Sequence, residues 1–134
     1  MKKREFSLIA IIAMILISQS FFSCIYGIRG NGKVVKSEIE IKNINSISVS
    51  SGIDLILSQD SLEKVLVEAD ENLQKIIKTE ISNGRLKIYS SEHIQNARAM
   101  KVYVIIKNIS SLDASSGSDV KSGSMLNRLQ VVLM

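Results

Sequence analysis

The sequence predicts an all-β fold: a β-solenoid (parallel β-helix-like) with one short helix and a hairpin insertion, incomplete at its C-terminus. Three observations lead there. The first is a self-match. Residues 44–55 read INSISVSSGIDL and residues 109–120 read ISSLDASSGSDV, at an ungapped offset of 65. Spaced self-similarity of this kind is the mark of stacked repeats. The second is a fainter echo, LNRLQV at 126–131 against ISSLDA at 109–114, at an offset of 17. That length suits one coil of a solenoid, and so the C-terminal part reads as successive rungs. The third is alternation of β-branched residues with polar ones, in a chain that contains no proline. Proline cannot donate to a ladder, so its absence suits continuous strands.

The N-terminus comes first in order. Met1, Lys2, Lys3 and Arg4 form a basic head, Leu8 to Ile17 is wholly apolar, and Ser18, Gln19 and Ser20 follow. A basic head, a short apolar run and small residues before a cleavage point make an export signal over 1–23. The apolar run falls short of the about 20 residues a membrane span needs. Cys24, the single cysteine, stands just after Ser23 as in a lipobox, and its thiol is expected to carry the lipid. Acyl chains contribute about 0.8 kcal/mol per buried methylene, so they would hold the chain to a membrane. With one cysteine no internal disulfide can form, and a packed core must supply stability.

Residues 24–33, with Gly27, Gly30 and Gly32, read as a flexible tether. No strand precedes these glycines, so a phosphate loop is disfavoured. The solenoid domain then spans 34–134. Val35, Ile39 and Ile41 alternate with Lys36, Glu38, Glu40 and Lys42, as in a half-buried strand. The same period runs through Ile47, Val49, Ile53, Leu55 and Leu57, then Val65, Val67 and Ala69, and finally Met100, Val102, Val104 and Ile106. Asp70 as N-cap, with Leu73, Ile76 and Ile77 on one face, predicts a two-turn helix over about 71–78. Asn83-Gly84 between 80–81 and 86–89 predicts a tight hairpin, because both residues accept positive φ. Residues 90–99 read as a polar connection.

Removing residues 1–23 leaves fourteen basic and twelve acidic side chains out of 17 and 13. That near-neutral balance gives no basic face for nucleic acid. The only candidate site is the repeated Ser-Ser-Gly-x-Asp box: Ser50, Ser51, Gly52 and Asp54, then Ser115, Ser116, Gly117 and Asp119. As a functional stripe, these side chains would face a glycan or a cation. As a corner, glycine bends the chain, serine lets coils stack, and aspartate binds nearby backbone N–H groups. The corner reading is preferred. His93, the sole histidine, has no partner at metal or triad spacing. Glu68, Asp70 and Glu71 lack the spacing of a calcium loop. Tyr89 and Tyr103 are candidate sugar-stacking rings, but strand packing is the simpler role. No catalytic residue, metal site or cofactor is expected.

The strings ISVSSGIDLILSQ, VEADENLQKIIKTEISNGRLKIYS and ASSGSDVKSGS resemble the GIN domain, an auto-transporter adhesin head domain common in Bacteroidetes lipoproteins. The resemblance covers about 30–131. It implies a β-solenoid interrupted by a short helix and a hairpin. It supplies no catalytic residues; the lipobox, the repeats and the lack of a catalytic constellation point to a non-catalytic, lipid-anchored envelope protein whose solenoid binds a glycan or protein ligand. A carbohydrate-active enzyme is the weakest alternative, with only Asp119 and Lys121 to support it. A self-associating structural module is the stronger one. Family members continue beyond a point equivalent to Leu133 with another Ser-Gly coil, so the chain is expected to be truncated.

Overall fold

Alternating apolar residues become strands wherever one face can be covered. The computed structural model describes residues 10–14, 26–123 and the backbone of 130–133. Residues 10–14 are helical; the rest of the expected signal, and Cys24, lie outside the described residues. Among the described residues no helix is long and apolar enough to cross a membrane.

Twelve strands follow: β1 Ile28–Arg29, β2 Val34–Glu40, β3 Ser46–Val49, β4 Asp54–Gln59, β5 Lys64–Asp70, β6 Ile77–Ser82, β7 Arg85–Ser90, β8 Ile94–Asn96, β9 Met100–Ile106, β10 Ser111–Ala114, β11 Val120–Ser122 and β12 Gln130–Leu133. They build two five-stranded sheets. Sheet I has the order β12-β10-β3-β7-β6 and sheet II the order β11-β4-β9-β5-β2; β1 and β8 form a separate parallel pair. The described architecture is mostly β with one short helical turn, and neither sheet closes on itself.

The 65-residue self-match is the pairing register. Ser111 lies beside Ser46 and Leu112 beside Ile47 in β10–β3, and Val120 lies beside Leu55 in β11–β4. Both pairs are parallel, as are β3–β7 and β4–β9. Equivalent residues therefore stack, and apolar residues form ladders such as Leu86–Ile47–Leu112 and Val67–Val102–Leu55. These residues are buried in one core cluster shared by both sheets. Each such side chain contributes about 1.5–3 kcal/mol on burial. The echo at 126–131 is shifted. β12 pairs with β10 so that Val131 meets Leu112, a spacing of 19 where the sequence echo spans 17. The two-residue difference equals one period of a strand.

Four further expectations meet a different outcome. The helix over 71–78 is a single 3-10 turn, Glu71–Leu73, because Ile77 is already paired with Ser90 in β6. Its apolar residues Leu73 and Ile76 are buried all the same. Asp70 makes no side-chain cap bond to that turn. β2 is the terminal strand of sheet II, exposed at six of its seven positions rather than half-buried. The outer part of the segment read as a tether is bound into the fold. Ile28 N–H donates to the His93 carbonyl at 2.8 Å and Gly30 N–H to the Asn96 carbonyl at 2.7 Å. The same two bonds make residues 94–96 of the expected connection into β8. The hairpin stands as expected: Asn83 and Gly84 have φ of 50° and 74° and join β6 to β7.

Candidate functional site

The first Ser-Gly box is built by two consecutive left-handed residues, Ser51 at φ 65° and Gly52 at φ 67°. Ile53 N–H donates to the Ser50 carbonyl at 3.4 Å, closing a four-residue turn. Positive φ at both central positions is the signature of a type I′ turn. The second box repeats it, with Ser116 at 54°, Gly117 at 76° and a 3.2 Å bond from Ser118 N–H to the Ser115 carbonyl. Neither turn is a hairpin. Each carries the chain from sheet I to sheet II, β3 to β4 and β10 to β11.

Hydrogen bonds tie the corners into a stack. Ser50 N–H donates to the Ile88 carbonyl at 3.0 Å, Ser115 N–H to the Val49 carbonyl at 3.1 Å, and Leu55 N–H to the Asp119 carbonyl at 2.8 Å. The Ser51 hydroxyl accepts from Ser90 N–H at 3.2 Å. Ser46 and Ser111 hydroxyls meet at 2.6 Å across β3 and β10. Ser50, Ser51, Ser115 and Ser116 thus lie in the turns that join the two sheets. The aspartates do not bind backbone as that reading expects. Among the described residues neither the Asp54 nor the Asp119 carboxylate has a hydrogen-bond or ion-pair partner. Asp54 lies beside Lys101 in register, and Asp119 is exposed. Where the first box buries Ile53, the second carries Ser118, whose buried hydroxyl is unpartnered among the described residues.

A second polar centre lies at the C-terminal end of β5. Asp70 is fully buried. Its carboxylate accepts from Gly32 N–H at 2.9 Å, Arg98 N–H at 3.1 Å and Ala99 N–H at 3.0 Å. Burial pushes this carboxyl up, but the Ala99, Gly32 and Arg98 donors, with the Arg98 charge, outweigh it and hold the pKa below the usual carboxylate value. Gly30 is required beside it, because a Cβ there would fall inside the Asp70 carboxylate. A sequence reading as helix cap misses this role. The available signal is an acidic residue directly after the inward-facing Val65, Val67 and Ala69 of β5, together with the Gly30-x-Gly32 spacing.

The remaining candidates are placed apart. His93 is exposed on the loop before β8, its backbone carbonyl engaged with Ile28. Tyr89 donates to Glu80 Oε1 at 2.6 Å, which raises the phenol pKa, and Lys87 lies over its ring at 4.7 Å. Tyr103 stands half-buried between Ile56 and Leu66. An open groove of about 490 Å³ is lined by Glu38, Glu40, Lys42, Glu63 and Lys107 among others. Glu63 is committed to the backbone there, accepting from Asn43 N–H at 3.0 Å and Lys107 N–H at 3.4 Å. Among the described residues no group of three or more His, Cys, Asp or Glu side chains could hold a metal ion.

Stacked parallel strands with small polar corners define a repeat-built β domain. The family model for "Putative auto-transporter adhesin, head GIN domain" matches residues 43–133, and the chain belongs to this family. Solved structures share the fold. One, described as a putative adhesin from Parabacteroides merdae ATCC 43184, is 22% identical with a TM-score of 0.71, covering 80% of this chain and 46% of that one. A putative lipid binding protein from Parabacteroides distasonis ATCC 8503 is 22% identical with a TM-score of 0.71, covering 81% and 49%. A putative adhesin from Bacteroides fragilis NCTC 9343 is 16% identical with a TM-score of 0.70, covering 78% and 51%. The chain spans about half the length of these structures. No curated protein matches it.

Proposed function

We propose that this chain is an exported, cell-envelope protein, lipid-anchored at Cys24, whose β-solenoid binds a glycan or protein ligand without catalysis. The family match over 43–133 carries the reading. The solenoid form is supported by the matched strand order, in which β10, β3 and β7 of sheet I accompany β11, β4 and β9 of sheet II. Rungs stacked in register give a rigid surface, and such surfaces suit recognition. The rim of the corners, exposed Ser116 and Asp119 with half-buried Asp54, is the part of the Ser-Gly boxes left for a ligand. The membrane is a partner through the lipid, and nucleic acid is not.

Two measurements test this. Metabolic labelling with a palmitate analogue should mark the wild-type chain and not Cys24→Ser. Glycan-array and whole-cell adhesion assays should show binding that a control carrying only the lipidated N-terminus lacks. Binding no stronger than that control defeats the adhesion reading and leaves the anchor intact.

A further inference from the structure

We infer that β2 is a self-complementary edge through which two copies of this chain pair antiparallel about Ser37, joining two copies of sheet II into one ten-stranded sheet. This goes beyond ligand binding and does not depend on it.

β2 closes the order of sheet II, with β5 on one side. The hydrogen-bonding phase of that pair fixes which groups face outward. Glu71 N–H donates to the Lys33 carbonyl at 2.8 Å, while Val34 lies beside Asp70 and Val35 beside Ala69. In an antiparallel ladder bonded and non-bonded pairs alternate. Val35, Ser37 and Ile39 therefore bond to β5, and Val34, Lys36, Glu38 and Glu40 direct their N–H and C=O groups away from it. An unpaired row of this kind is a template for another strand.

Charge selects the register. The outward groups are on even-numbered residues, so an antiparallel copy must bring even residues opposite even residues. Centring the two-fold axis on Lys36 sets lysine against lysine, and centring it on Glu38 sets glutamate against glutamate between two Lys36–Glu40 pairs. Like charges directly opposite are destabilising. Centring on Ser37 sets Lys36 against Glu38 of the partner subunit and Val35 against Ile39 of the partner subunit.

The flanking strands extend this pattern. Lys36 already pairs with Glu68 at 3.2 Å, and Glu38 with Lys64 at 3.2 Å. The pairing would link Glu68, Lys36, Glu38 of the partner subunit and, diagonally, Lys64 of the partner subunit in one row of alternating sign. The two-fold axis supplies the same row a second time. Val34 and Ile39, 38% and 37% exposed, would also gain cover. A guarding edge repels its own copy in every register. Of these three registers, only the one centred on Ser37 joins opposite charges and sets no like charges opposite each other.

Cysteine trapping reads the register directly. In the full chain carrying Cys24→Ser, Ser37→Cys places two thiols opposite each other across the axis. Non-bonded antiparallel pairs have Cα atoms about 4.5 Å apart, within disulfide range. Non-reducing gels of oxidised cells should show a dimer for Ser37→Cys and at least tenfold less for Thr79→Cys on edge strand β6. Adding Lys36→Glu should lower the Ser37→Cys dimer at least tenfold, and adding Glu38→Lys as well should restore it. Glu38→Pro removes an outward N–H without touching the β5 ladder. It should abolish trapping while leaving the melting temperature of the monomer within a few degrees of its parent. No dimer from Ser37→Cys, equal trapping at Thr79→Cys, or no recovery in the charge-swapped chain overturns the inference.

Discussion

Asp70 shows how one side chain can join distant parts of the chain. Its carboxylate collects backbone donors from Gly32 and from Arg98 and Ala99, on opposite sides of it in sequence. Hydrogen bonds to a charged acceptor contribute about 1.5–3 kcal/mol each, and an orphaned buried donor costs about 1–3 kcal/mol. Asp70→Asn keeps the shape but turns an amide N–H₂ towards those donors. It should destabilise the protein by about 3–5 kcal/mol in urea unfolding. The pKa adds a signature. The folded value lies below the ordinary 3.8, so the stabilisation is fully present above that value. It is lost as pH falls through the lower, folded value, because the unfolded state then binds the proton first. Wild-type stability should therefore fall more steeply below about pH 4 than that of Asp70→Asn. Parallel slopes in the two proteins would remove Asp70 from the acid response.

At the scale of the element, the two corner turns share a backbone and differ in side-chain duty. Left-handed φ costs a residue with Cβ about 1–2 kcal/mol relative to glycine. Ser116 is exposed and has no side-chain partner among the described residues, so Ser116→Gly should stabilise by about 0.5–1 kcal/mol after its added unfolded-state entropy. Ser51→Gly gains the same relief but leaves Ser90 N–H without the hydroxyl it donates to. That loss of about 1–3 kcal/mol should make Ser51→Gly destabilising by about 1 kcal/mol. Urea midpoints at unchanged m-values compare the two; a gain in both would remove the hydroxyl from the corner's stability. The same contrast shows what a sequence exposes. The offset of 65 reports strand register because equivalent side chains stack on one another, and Asn83-Gly84 reports its turn because φ is a local property. The duty of Asp70 is hidden because its partners lie far along the chain, and a cap and a buried pin use the same residue type. The exposure of β2 is hidden as well. Val35, Lys36 and Glu38 alternate alike whether a strand is central or terminal, and only the sheet order distinguishes the two.

For the whole molecule, the pairing pattern sets how the chain can fold. The core forms only when β3 meets β7, 39 residues on (Ser46 to Arg85), and β4 meets β9, 47 residues on (Asp54 to Lys101). β10 and β11 then join at a separation of 65. Each step closes a long loop before burial compensates, and topologies of this kind fold in milliseconds to seconds. Two sources of slower phases are absent from the sequence. There is no proline to isomerise, and the single cysteine cannot form an internal disulfide. Among the described residues, the β6–β7 hairpin, with its Asn83-Gly84 turn, and the adjacent 3-10 turn are the most local elements and form early. Stopped-flow refolding of the Cys24→Ser chain, at low concentration so that β2 edges do not meet, should therefore be complete within seconds. Substitutions at Gly84 should slow that phase more than equally destabilising ones at Gly117, because the hairpin forms before the last rung docks. A dominant phase of tens of seconds, or equal slowing at both glycines, would mean that folding does not start from the hairpin end of the stack.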